Sequence, residues 1–102
     1  MINVEKNFKN EVSDNKGITI VDFWAPWCGP CKMFGPIFEN AKDNFENIKF
    51  CKLNIDEDDN NISKDFGVMS IPTVIAFKDG KEINRKIGFM NEDDFYNFIK
   101  EL

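Results

Sequence analysis

The chain has 102 residues, 42% of them hydrophobic, and 13 Lys+Arg against 18 Asp+Glu give a net charge of −5. That length suits one domain over residues 1–102, and 11 Phe supply enough apolar surface for a core without a structural staple. Nucleic acid is disfavoured by the lack of basic clusters, and with no His neither a His base nor a His metal ligand can operate.

The start, Met1-Ile2-Asn3-Val4-Glu5-Lys6, has no apolar h-region and does not read as a signal peptide. No apolar run approaches the roughly 20 residues of a membrane span. These features lead us to expect a soluble, cytoplasmic chain. Ile2 and Val4 suggest a short strand, followed by a weak helix carrying Phe8 and Val12 that Asn15-Lys16-Gly17 ends. Ile18 to Ala25, rich in β-branched and aromatic residues, reads as a central strand buried on both faces.

The sequence Trp27-Cys28-Gly29-Pro30-Cys31-Lys32 follows that strand and opens a helical pattern through Phe34, Ile37, Phe38, Ala41 and Phe45. Pro36 inside the pattern should kink the helix. Two thiols three positions apart can form a small reversible disulfide. Closing about four residues is worth roughly 2 kcal/mol, against about 3 for a loop of about fifteen, so opening and closing suits the pair better than stapling. A thiol at a helix N-terminus also ionises more easily, and the thiolate is the species that attacks disulfides. A buried inert pair and half of a zinc site stay open as alternatives. For zinc, only Cys51 remains as a further Cys and one chain cannot supply four N/S ligands.

Further along, Ile48 to Ile55 reads as a strand. Acidic runs such as Asp56-Glu57-Asp58-Asp59 read as solvated loop or helix-start positions, with Asp59 capping a short helix through Ile62 and Phe66 that Gly67 ends. Ile71 to Phe77 is a strand, Asp79-Gly80 a hairpin turn, and Glu82 to Ile87 the strand after it. A last helix from near Asn91 presents Phe95, Phe98, Ile99 and Leu102 on one face. The order βαβαβαββα implies an α/β fold, a mixed sheet with helices on both faces.

Three blocks now carry a resemblance over essentially the whole chain. They are Val21-Asp22-Phe23-Trp24-Ala25-Pro26-Trp27-Cys28-Gly29-Pro30-Cys31-Lys32, then Ser70-Ile71-Pro72-Thr73, then Phe77-Lys78-Asp79-Gly80 with Gly88. In this order and spacing they resemble the thioredoxin family. The resemblance implies the thioredoxin fold, a central mixed sheet of about five strands flanked by about four helices. It also implies a thiol–disulfide oxidoreductase with a redox-active Cys28–Cys31 disulfide, no bound cofactor and no metal. The partners it implies are a thioredoxin reductase and oxidised protein substrates, with a monomer as the default state.

By the same resemblance Cys28 is the nucleophile and Cys31 the resolving thiol. Asp22, a lone carboxylate in an apolar strand, should have a raised pKa, and without any His it is the natural proton acceptor for Cys31. A strand-end Asp bonded to backbone is the plainer alternative. Lys52 matches the family lysine that pairs with this Asp, and a snorkelling surface Lys is an equally open reading. Pro72 matches a cis proline beside the site, which turns the preceding backbone toward a substrate segment. Trp27, Pro30, Ile71 and Phe89 would form an apolar rim around an exposed sulfur, with Gly29 between the cysteines and Gly88 leaving room for a partner backbone.

Gly29-Pro30 lacks the His that family oxidants and isomerases carry between the cysteines, so a reductant is expected. Cys51 reads as a small buried hydrophobe, and Trp24 as packing. The rival from another class is a binding module built on the same fold. Intact Cys28, Cys31 and Asp22 weigh against it.

Overall fold

The computed structural model describes residues 1–102, and its alternating apolar strands build one five-stranded sheet. The strands are β1 (Ile2–Asn3), β2 (Ile18–Trp24), β3 (Ile48–Asn54), β4 (Thr73–Lys78) and β5 (Lys81–Ile87). Their order is β1-β3-β2-β4-β5. β1 and β2 run parallel to β3, while β4 is antiparallel to both β2 and β5. This is the mixed α/β sheet of the thioredoxin fold.

Helices cover both faces. α1 (Gly29–Lys42) and α3 (Glu92–Lys100) pack on one face, where Ile20, Phe50, Val74 and Ala76 of the sheet meet Phe34, Phe38, Phe95 and Ile99. Phe38 stands edge-on to Phe50 and stacks on Phe95. Across the sheet, Val21, Phe23, Cys51, Leu53, Ile75 and Phe77 face Val4, Phe8 and Val12 of the N-terminal segment. A short α2 (Ile62–Asp65) lies against the same layer. The period of two along β2 therefore sends Val21 and Phe23 to one core and Ile20 and Asp22 to the other.

Of three local features, two differ from the sequence reading. The weak N-terminal helix is a single π-helical turn, Lys9–Ser13, which stands beside the α-helices α1, α2 and α3 and a 3-10 turn at Ile55–Glu57. α1 runs continuously across Pro36, as the sequence reading places it, so the exposed ring costs one backbone hydrogen bond without ending the helix. The cap of α2 is Asp58 and not Asp59. Asn61 takes a left-handed φ of 56°, and Asp58 reaches past it to accept from the N–H groups of Ile62 (2.9 Å) and Ser63 (2.7 Å).

Asp79 and Gly80 both have positive φ, 50° and 83°, as a two-residue hairpin between twisted strands requires. The turn docks on the loop before β2: the Asp79 N–H donates to the Gly17 carbonyl at 3.0 Å, and the Gly17 N–H donates to the Asp79 carboxylate at 2.8 Å. A Cβ on Gly80 would collide with the Ser13 backbone, whereas one on Gly67 (φ +67°) would meet nothing within 4 Å. Gly80→Ala should therefore cost roughly 2–4 kcal/mol in urea unfolding, the sum of left-handed strain and overpacking, and Gly67→Ala only about 1–2.

Candidate active site

α1 begins where the chain leaves β2, and Cys28 is its N-cap residue. A sulfur takes the place usually held by a capping oxygen: Cys28 Sγ accepts from the Cys31 N–H at 3.2 Å. Pro30 sits in the first turn, where a missing N–H costs nothing. Cys28 and Cys31 form a disulfide with their Cα atoms 5.2 Å apart. Both cysteines are nearly enclosed, Cys28 at 6% and Cys31 at 3% exposure, packed with Ala25, Trp24, Ile55 and Ile71. The Cys28 sulfur is thus less open than the sequence reading supposed. The Ile71 carbonyl lies 3.9 Å from it.

Asp22 lies on the side of the sheet that carries α1. Ile20, Asp22 and Trp24 share the face of β2 that α1 covers, each about 7 Å from the next, and Trp24 packs against the cluster that holds the two cysteines. Asp22 is fully buried, and neither carboxylate oxygen accepts a hydrogen bond from a protein group. Burial raises its pKa from 3.8 to about 7, against the pull of the Lys52 charge and with a small push from Glu39. Lys52 is its register partner on β3. The Lys52 ammonium lies 4.6 Å over the Trp24 ring and near Gly35 of α1, and forms no ion pair within 4 Å of Asp22. It acts on Asp22 as a nearby charge.

Around the cysteines, Trp27 is 66% exposed, Gly29 and Pro30 are exposed, Phe89 is exposed and Ile71 half-buried. Pro72 is buried, joined to Ile71 by a cis peptide, and its carbonyl accepts from the Gly88 N–H at 2.7 Å. Gly88 has φ +95° and open space where a Cβ would stand. The β4 start and the β5 end thus bring Ile71, Pro72 and Gly88 together.

One set of residues at this site was not legible as such. The Asp56 carboxylate accepts from Trp27 Nε1 at 3.0 and 3.2 Å. Behind it, the Asn54 side chain accepts from the Asp56 N–H at 3.0 Å, and buried Glu5 accepts from the Asn54 N–H at 2.7 Å. A signal did exist. Trp24 and Asn54 are partners in parallel register, and the C-terminal ends of parallel neighbours open onto one crevice. A groove of about 220 Å3 lies alongside, lined by Trp27, Ile55, Ser63, Val68, Met69 and Ile71 among others.

Cys51 belongs to the opposite face of the sheet, fully buried, and burial pushes its thiol up to about 11. It stays protonated and apart from the disulfide. No cluster of His, Cys, Asp and Glu is arranged to hold a metal, and no helix is long and apolar enough to cross a membrane.

A dithiol couple at a helix N-terminus, with a buried carboxyl on the same side of a sheet of this order, defines a thiol–disulfide oxidoreductase. The family model for thioredoxin matches residues 1–101. The thioredoxin of Chlorobaculum thiosulfatiphilum is 44% identical over 98 residues, covering 95% of this chain and 90% of the relative. That of Rickettsia felis is 40% identical over 98 residues, covering 95% and 92%. The chloroplastic M-type thioredoxin of Triticum aestivum is 48% identical over 85 residues, covering 82% of this chain and 48% of the relative. The chain belongs to the thioredoxin family. Its redox couple is the Cys28–Cys31 disulfide, and membership implies, in general terms, a reductase and disulfide-bearing proteins as partners.

Asp22 ties stability to pH. The folded chain holds its proton to about pH 7 while the unfolded chain releases it near 3.8. Between those values the folded state binds more protons, so Asp22 lowers stability as pH rises through that window. Asp22→Asn should unfold like the parent near pH 3.8. It should then gain stability up to pH 7, approaching roughly 4 kcal/mol at 1.36 kcal/mol per pKa unit. Urea unfolding of both proteins across that range measures the difference.

Proposed function

We propose that this chain reduces disulfides in oxidised proteins and is recharged by a separate thioredoxin reductase, working in the cytoplasm as a single-domain monomer. Cys28 is the nucleophile. Its thiolate attacks one sulfur of the substrate disulfide, that S–S bond breaks, and the departing thiolate takes a proton from water. A mixed disulfide joins Cys28 to the substrate.

Asp22 then accepts the proton of the Cys31 thiol. The Cys31 thiolate attacks Cys28 Sγ, the mixed disulfide breaks, and the second substrate sulfur leaves and is protonated. The substrate has gained two electrons and two protons, and the protein holds the Cys28–Cys31 disulfide. Lys52 tunes Asp22 through its charge. Trp27, Gly29, Pro30, Ile71, Pro72, Gly88 and Phe89 form the surface that receives the substrate chain.

The observation that carries this reading is the Cys31 N–H aimed at Cys28 Sγ, with a buried carboxyl that has no protein partner on the same side of the sheet. A donor fixed on that sulfur stabilises the thiolate of the reduced protein, and a carboxyl near pKa 7 is suited to accept a proton at neutral pH. Gly29-Pro30 places no His beside the thiolate, which supports reduction over oxidation.

The test is dithiothreitol-driven reduction of a protein disulfide. The parent should accelerate it strongly, and Cys28→Ser and Cys31→Ser should both return it to the uncatalysed rate. Only Cys31→Ser should accumulate a mixed disulfide, seen as a mass adduct. A folded parent without acceleration would leave a binding module as the better reading.

A further inference from the structure

The excess negative charge of this chain is concentrated beside the redox site. Residues 56–65 hold five carboxylates, Asp56, Glu57, Asp58, Asp59 and Asp65, against Lys64 alone, a net −4 out of −5. The groove-lining residues Ile55 and Ser63 bracket the four consecutive acids Asp56–Asp59. Two of those acids are engaged, Asp56 on the Trp27 indole and Asp58 on the start of α2. Glu57 and Asp59 are exposed, and the three ion pairs of the molecule lie elsewhere.

The groove itself is apolar. Ile55, Val68 and Ile71 line it, and Met69 stands at it 96% exposed. A large apolar side chain left so open gains from being covered, and an unbranched thioether adapts to different aliphatic shapes. Trp27 and Ile71 line this groove, and the Ile71 carbonyl lies 3.9 Å from Cys28 Sγ. A chain whose cysteine reaches that sulfur therefore lies beside an apolar trough, and the four acids sit on the segment that joins two of its lining residues, Ile55 and Ser63.

We propose that this groove selects oxidised protein segments in which a bulky aliphatic residue and adjacent Lys or Arg flank the reactive cysteine. The inference rests on the disulfide-reductase reading and adds the substrate class. The aliphatic side chain covers Met69 and fills the trough, while the cationic residues meet Glu57 and Asp59. Complementary charge acts mainly on encounter, so the preference shows in the second-order rate and weakens with salt.

Five probes separate the possibilities: two peptide disulfides with the same aliphatic residue beside cysteine, one flanked by Lys and one by Glu, the same two with Gly in place of the aliphatic residue, and uncharged hydroxyethyl disulfide. At about 20 mM salt the reduced parent should react about tenfold faster with the Lys peptide than with the Glu peptide, and the ratio should shrink towards one near about 0.5 M. The double variant Glu57→Lys, Asp59→Lys should invert the ratio and leave the hydroxyethyl disulfide rate unchanged. Met69→Ser should slow both aliphatic peptides severalfold relative to glycine-flanked ones. Equal rates for the charged peptides at low salt, or a ratio unmoved by the double variant, would overturn the proposal. A parent inert even towards hydroxyethyl disulfide would overturn the reductase reading and the proposal with it.

Discussion

Asp22 lies under α1 with neither carboxylate oxygen bonded to a protein group, and the other parts of the site are arranged around that desolvated carboxyl. Burying such a group costs several kcal/mol unless it is paired or neutral. Here it holds its proton up to about pH 7. Surrounding apolar packing makes this tolerable: Ile20 below it on β2, Val74 beside it on β4, and Phe34 and Phe38 of α1 in the same core. Lys52 moderates the effect as a charge without bonding to it. A tight ion pair would have pulled the carboxyl back down and removed its capacity to accept a proton near neutral pH.

In the proposed mechanism the helix N-terminus and the buried carboxyl act on different sulfurs. The N–H of Cys31 faces Cys28 Sγ, so the backbone favours charge on the outer sulfur. Cys31 is further into the helix and more enclosed, and in the proposed mechanism it gives its proton to Asp22. That separation suits a two-step exchange, in which the outer sulfur must be ionised first and the inner one only after a mixed disulfide exists. Cys51 shows the contrast. The same chemical group on the other face of the sheet, where burial outweighs the pull of the Lys49 charge, is pushed to about 11 and kept out of reach.

Much of this was legible in residue order because it follows from periodicity and local chemistry. β2 reads as buried on both faces from its β-branched and aromatic residues, the Asp79-Gly80 turn from its residue types, and α3 from the spacing of Phe95, Phe98 and Ile99. Less legible was whatever depends on which strand ends lie together. The acids after β3 look like solvated loop in sequence, yet parallel pairing with β2 sets Asp56 against Trp27 and lets Glu5 reach Asn54. The choice of Asp58 over Asp59 as the α2 cap turns on the left-handed Asn61, a conformation with no strong signal in a run of Asn and Asp. The offset of Lys52 onto Trp24 is likewise a matter of side-chain placement.

The most direct test of the coupling between Asp22 and Cys31 is the pH dependence of the resolving step, followed as decay of a preformed Cys28 mixed disulfide. The account predicts a rate that falls below an inflexion near pH 7 in the parent. In Asp22→Asn that inflexion should vanish, with the rate at pH 7 lower by about 10²-fold and rising only towards the ordinary thiol range near about 8.5. Superimposable profiles for the two proteins would contradict it and leave Asp22 without a part in proton transfer.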